Sequence, residues 1–317
     1  MSGVGGIPFL DAGTVASLLG PTDAIDALEA ALRAGLDPEA DPPRAAVPAG
    51  AGHGELLLMP SSSAGAVGVK LVSVAPENAA RGLPRVQGVY VLFDADTLAP
   101  AALVDGIALT NVRTAAVSAL AVRHLAAGDA RRLLVFGTGP QAWAHVGALR
   151  AVRPVEHVDV VARDRGRLEA FAGRCEAAGL SAAVATDADA AVRAADLVVC
   201  ATTAREPLFD SDGVADHATV VAIGSHEPDA REVDEGLLAR ATVVVEARTA
   251  ALREAGDVIA AVRARRCAPE ALHPLDALVR GEVEVQPGYP RLFKSTGMAW
   301  EDAVLAAALH ARAGGGR

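Results

Sequence analysis

The chain has few aromatic residues and few cysteines, and it lacks any basic block or long apolar run. Phe, Tyr and Trp make up 3% of the 317 residues, so Ala, Val and Leu must fill the interior by close packing of helices and strands. Cys175, Cys200 and Cys267 have no C-x-x-C spacing, which argues against a disulfide framework or a zinc cage and fits a reducing compartment. A formal charge of −10 without a basic stripe argues against nucleic acid as a partner. No apolar run approaches the roughly 18 residues that span a bilayer. The opening MSGVGGIPFLDAG also lacks the basic start and apolar core of a signal peptide. These absences lead us to expect a soluble, cytoplasmic protein with no membrane partner. The dispersed histidines and the lack of H-E-x-x-H lead us to expect no metal site.

What the chain does have is 51% hydrophobic content and enough length for two domains. Its most informative stretch is LLVFGTGPQA, Leu133 to Ala142, where an apolar strand runs into a glycine turn that opens a helix. Gly137 permits a sharp turn and Gly139 a close backbone approach to a pyrophosphate. Ala142 is the small residue that lets the helix pack tightly on the strand. Thr138 and Gln141 complete the turn, and the helix beginning near Pro140 offers free N–H groups to phosphates.

Around this turn, expected strands at Leu133 to Phe136, His157 to Val161, Ala182 to Ala185, Leu197 to Ala201, Val220 to Ile223 and Thr242 to Glu246 alternate with helical segments. Such alternation predicts an α/β fold with a doubly wound parallel Rossmann sheet. Upstream, two short helices are expected between Asp11 and Leu36, the second opened by Pro21. Strands follow at Glu55 to Met59, Gly68 to Val74, Gly88 to Phe93 and Ala101 to Val104. A helix capped by Thr110 or Asn111 then runs to Leu125. Met298 to Ala313 is an amphipathic helix that can return to the first domain. The expected division is residues 1–115 with 299–317 as an N-terminal α+β substrate and dimerisation domain, and 116–298 as the dinucleotide-binding domain.

Several segments in order make the chain resemble the ornithine cyclodeaminase and mu-crystallin family along nearly its whole length. They are PPRAAVP at Pro42 to Pro48, VKLV at Val69 to Val72, TNVRTAAVSALA at Thr110 to Ala121 and GTGPQA. Further on come PDAREVDEGLL at Pro228 to Leu238, ALREAGDV at Ala251 to Val258, and LFKSTGMAWED at Leu292 to Asp302. The resemblance implies a nicotinamide cofactor and a homodimer built through the N-terminal domain, whose strand residues Val89, Val91 and Phe93 need cover. It also implies that Arg44, Lys70 and Arg113 meet a substrate α-carboxylate. The chemistry agrees, since a guanidinium grips a carboxylate through paired charge-assisted hydrogen bonds and a lysine adds a point charge. Arg113 is expected in the first turn of its helix, near N–H groups that favour an anion. Gln87 matches a further position of the substrate-domain pattern, where an amide can orient the substrate or the nicotinamide carboxamide; taken alone, it reads as a solvated strand residue first.

The cofactor's identity turns on the end of the second Rossmann strand, where an NAD enzyme places an acid on the ribose 2′-hydroxyl. VDVVARDR puts Ala162 there, with Arg163 next and Arg165 close by, which favours NADP(H) over NAD(H). Asp164 leaves NAD open, because a strand ending later restores an acid. Thr202 and Thr203, at the carboxyl edge of the sheet, can line the nicotinamide site or merely end a strand. His226 stands where the resemblance leads one to expect Asp, in the loop GSHEPDARE, and its imidazole can act as acid or base near neutral pH. The expected activity is reduction of a C=N bond in a small α-imino acid, or the reverse oxidation of an amino acid, with Lys70, Arg113 and His226 as catalytic candidates. A cyclodeaminase with bound NAD and a non-catalytic, nucleotide-dependent binding protein are the alternatives.

Overall fold

Strands of the first part of the chain pair with their neighbours in sequence as an antiparallel meander whose residues alternate in burial, and runs of Val and Leu in the second part give buried parallel strands. The computed structural model describes residues 6–50 and 54–314. The opening residues 1–5, included in the leader reading above, lie outside that range. The chain divides into two compact units, one extending to Arg113 and resuming at Met298, the other covering Thr114–Gly297. Among the described residues no helix is long and apolar enough to cross a membrane.

The first unit holds a six-stranded sheet of β1 (Phe9–Leu10), β2 (Ala45–Pro48), β3 (Glu55–Ser63), β4 (Ala66–Val74), β5 (Val86–Phe93) and β6 (Pro100–Asp105), in the order β1-β6-β5-β4-β3-β2. All neighbours are antiparallel except β1 and β6. Ala64 and Gly65, both at positive φ, join β3 to β4 in a two-residue turn whose twist suits a hairpin. On β4, Ala66, Gly68, Lys70 and Val72 are buried while the residues between them are half-buried. The helix Ala299–Arg312 packs on β3, β4 and β5 and buries Trp300, Glu301 and Asp302. On β5 the other face carries Val89, Val91 and Phe93, all half-buried.

The second unit is an eight-stranded parallel sheet of β7 (Arg132–Phe136), β8 (His157–Val161), β9 (Ser181–Val184), β10 (Leu197–Cys200), β11 (Thr219–Ala222), β12 (Thr242–Val245), β13 (His273–Pro274) and β14 (Arg291–Lys294). Its order is β13-β12-β14-β11-β10-β7-β8-β9. The strand order reverses between β7 and β10, and ligands of doubly wound sheets bind outside the carboxyl ends of the strands at such a switch point.

Two expectations need correction. The helix expected to start at Thr110 or Asn111 begins at Gly106, because Asp105 Oδ1 accepts the Ile107 and Ala108 N–H groups at 3.0 and 2.9 Å and caps it there. Arg113 therefore lies about two turns inside the helix, away from the free N–H groups of its first turn. The sequence reading also missed β14, which lies between β11 and β12 although it comes last in the chain. Four residues after a Gly-Pro loop carry too little periodicity to announce a strand.

Candidate active site

In the first unit the alternation of β4 points Lys70 into the interior, where it is 2% exposed. Its ammonium donates to Asp302 Oδ2 at 2.7 Å. Burial and the nearby Arg113 charge push the lysine down to about 8, against the pull of Asp302 and Glu301. Arg113, also buried, donates from Nη1 to Glu301 Oε2 at 2.9 Å, and its Nε lies 3.7 Å from Asp302 Oδ1. Lys70 and Arg113, expected to act together, are thus held together by two adjacent acids that are fully buried in the first turn of the last helix. Both acids stand inside the LFKSTGMAWED segment, yet nothing in the sequence assigned them a role. The available signal was an acid pair opening an otherwise apolar helix.

Asp41 ties the neighbouring segments to this cluster. Its carboxylate accepts the Ser61 and Ser63 hydroxyls at 2.7 and 3.2 Å and the Trp300 N–H at 2.5 Å, and burial holds its pKa above the usual carboxylate range. Arg44, half-buried, precedes β2. Ala45 pairs with Leu58 and Met59 with Lys70, so Arg44 stands at the end of β2 nearest the Lys70 row. Tyr90 faces Lys70 across β4 and β5, and its ring covers Gly68, where a Cβ would come within 2.2 Å of the phenolic oxygen. Burial raises the Tyr90 phenol far above its ordinary range. Gln87 pairs with Ser73 instead, is exposed, and by strand alternation lies on the sheet face opposite Lys70. The structure does not bring it to the buried cluster.

In the second unit the residues fit a dinucleotide. Gly137 takes φ +109°, and a Cβ there would come within 2.4 Å of the Ala201 carbonyl. Gly139 is exposed with open space where a Cβ would stand, and it leads into the helix Pro140–Arg150, which has no side-chain cap. Thr138 and Gln141 are half-buried, and Ala142 is fully buried. Beyond β8, Ala162 follows the strand directly, and Asp164 Oδ1 accepts the Arg167 N–H at 2.8 Å as a helix cap. Arg163 is exposed, and Arg165 pairs with Glu169 at 2.9 Å. Thr203 is exposed. The Thr202 hydroxyl, open in the sequence between lining the nicotinamide site and merely ending a strand, turns inward, donating to Glu232 Oε1 at 2.7 Å and accepting the Ala204 N–H at 3.1 Å. His226 is half-buried in the loop that follows Ser225.

A family model described as the ornithine cyclodeaminase/mu-crystallin family matches residues 9–317. The chain belongs to that family. Among the family's members, a Delta(1)-pyrroline-2-carboxylate reductase of Bacillus cereus is 35% identical over 279 residues, covering 86% of each chain. The ketimine reductase mu-crystallin of Rattus norvegicus is 32% identical over 84% of this chain and 82% of its own length. Among solved structures, the Delta(1)-pyrroline-2-carboxylate reductase of Thermococcus litoralis in complex with NADH and L-proline superposes with a TM-score of 0.91, at 28% identity over 97% of both chains.

Proposed function

We propose that the protein is a nicotinamide-dependent imine reductase acting on a small cyclic α-imino acid of the pyrroline-2-carboxylate class. The observation that carries the reading is the buried quartet of Lys70, Arg113, Glu301 and Asp302, in a chain whose second unit has the glycine turn of a dinucleotide site. The relatives named above point the same way. The formal charges of the quartet cancel, so a substrate carboxylate brings a negative charge that Arg44 balances while Arg113 and Lys70 orient it. A bound reduced nicotinamide supplies the hydride that ends on the imine carbon. Lys70 gives its proton to the imine nitrogen and regains one from solvent. Its lowered pKa leaves it charged at neutral pH yet a better donor than an exposed lysine. His226 is the second acid–base candidate, carried by its place at the carboxyl edge of β11.

Ala162 after β8 and the engagement of Asp164 as a helix cap support NADP(H) over NAD(H), with Arg163 on the 2′-phosphate. One set of assays tests both readings. With pyrroline-2-carboxylate, NADPH absorbance should fall in proportion to proline formed, and Arg163→Ala should weaken NADPH binding by roughly 10- to 150-fold. Proline and ammonia formed from ornithine without net change in cofactor, together with inactivity on imines, would establish a cyclodeaminase. Cofactor binding with no turnover of any imine would establish a binding protein, and equal NADH and NADPH affinities would remove the NADP preference.

The half-buried Val89, Val91 and Phe93 support a homodimer formed through the first unit's sheet. Light scattering at micromolar concentration should give twice the chain mass; a monomer there overturns the dimer. Three free, buried cysteines support a cytoplasmic location.

A further inference from the structure

Three segments that carry the family resemblance, none of them holding Lys70, Arg113 or His226, meet in one buried cluster: Glu232 from PDAREVDEGLL, Asp257 from ALREAGDV and Lys294 from LFKSTGMAWED. The Glu232 carboxylate takes the Thr202 N–H and hydroxyl on Oε1, at 2.8 and 2.7 Å, and the Gly224 N–H on Oε2 at 2.6 Å. Thr202 and Gly224 lie just past the ends of β10 and β11, adjacent strands on one side of the switch point. These turns are packed backbone on backbone. A Cβ on Gly224 would come within 2.2 Å of the Thr202 carbonyl, and one on Gly137 within 2.4 Å of the Ala201 carbonyl.

The support behind Glu232 is equally closed. Asp257 Oδ1 accepts the Glu232 and Val233 N–H groups at 2.7 and 3.0 Å. Lys294, at the end of β14, lies 2.9 Å from Asp257 Oδ2 and donates to the Ser225 carbonyl at 2.8 Å. The Ser225 hydroxyl donates to the Ala230 carbonyl, so the residue before His226 is held by both its hydroxyl and its carbonyl.

We propose that Glu232 is a positioning residue for the cofactor-binding edge of the sheet, locking the turns after β10 and β11 so that the Gly137 turn and the His226 loop keep one shape. It touches no reacting atom and acts through Thr202 and Gly224. Both carboxylate oxygens receive backbone N–H donors, and protonation would turn one of them into a hydroxyl, a weaker acceptor, so that at least one of these bonds weakens. Burial raises Glu232 to about 7, with Lys294 and the Thr202 and Gly224 hydrogen bonds opposing the rise. The ionisable groups around it are Lys294 from β14, Asp257 from the helix Gly256–Arg263, the buried Cys200 thiol from β10 and, in the adjoining loop, His226. The clasp is therefore complete above neutrality and loosens below it.

The inference rests on the nicotinamide reading, and the test separates the two. NADH is the probe, because it lacks the 2′-phosphate that would itself titrate near pH 6. Its dissociation constant, measured by fluorescence titration, should fall for the wild type between pH 6 and pH 8. For the near-isosteric Glu232→Gln it should be about tenfold or more weaker at pH 8 and flat with pH, since an amide offers one acceptor where two are needed. If that variant does not fold, Thr202→Val, which removes the hydroxyl bond to Glu232 and the one from the Ala204 N–H but leaves the Thr202 N–H on Glu232, should shift the constant in the same direction by a smaller factor. Wild-type affinity and pH response in Glu232→Gln defeat this inference alone. So does a pH response that survives in Glu232→Gln but disappears in His226→Asn. Failure of the wild type to bind NADH or NADPH defeats the nicotinamide reading and this inference with it.

Discussion

Lys70→Met should lower turnover of a cyclic imino acid by roughly 10²- to 10⁴-fold, the range associated with loss of a positioned proton donor. NADPH affinity should change little, because Lys70 is proposed to act on the imine while the Gly137 turn is proposed to hold the cofactor's pyrophosphate. Lost activity alone is ambiguous, since the variant also removes the 2.7 Å partner of the fully buried Asp302. A buried charge stripped of its partner costs about 3–5 kcal/mol, and Arg113, 3.7 Å away, keeps the loss toward the lower end. The double variant Lys70→Met/Asp302→Asn should recover much of the lost melting temperature and none of the turnover. Recovery of turnover along with stability would reduce Lys70 to a structural residue.

The pH response follows from the same group. With its folded pKa lowered from 10.5 to about 8, Lys70 should lose its donor role as pH rises through 8, giving a falling alkaline limb in the wild-type rate. The stability effect has the opposite sense. Between about 8 and 10.5 the unfolded chain holds the proton that the folded chain has released, so this group raises wild-type stability with pH across that window. Lys70→Met should lack the increment.

The legible parts of the fold were those with long periodic runs or a motif built on backbone geometry. The strand, turn and helix at Leu133 to Ala142 emerge as read, because positive φ at Gly137 and close packing at Ala142 are requirements that few residues meet. Lys70 was legible as a residue and not as an environment. Its partner Asp302 stands 232 residues away in sequence and Glu301 stands 188 from its own partner Arg113, and no local pattern reveals that a helix will lay two acids beside β4. The start of the helix at Gly106 was missed for a local reason: Asp105 ends a strand and caps a helix at once, whereas Thr110 and Asn111 only look like caps. The direction of the Thr202 hydroxyl was not legible, because its partner Glu232 comes from a distant loop.

Arg113→Ala should raise KM for the imino acid by about 30-fold or more, the loss expected when one partner of a buried, hydrogen-bonded charge pair is truncated. NADPH binding should stay close to wild type, which places the guanidinium on substrate and not on cofactor. The same substitution strips Glu301, fully buried, of its 2.9 Å partner, so the single variant should also melt earlier. Arg113→Ala/Glu301→Gln removes the orphaned charge and should restore the melting temperature while KM stays high. Arg113→Lys should rescue only in part, because an ammonium cannot reproduce the planar fork that meets two carboxylate oxygens at once. The sharpest control is an imine without the carboxylate. The wild type should handle it poorly, and Arg113→Ala/Glu301→Gln no worse than the wild type, because the group that Arg113 recognises is gone from both reactions. An equal penalty for Arg113 variants on substrates with and without the carboxylate would show that Arg113 shapes the pocket without gripping the acid, and the α-imino acid reading would lose its anchor.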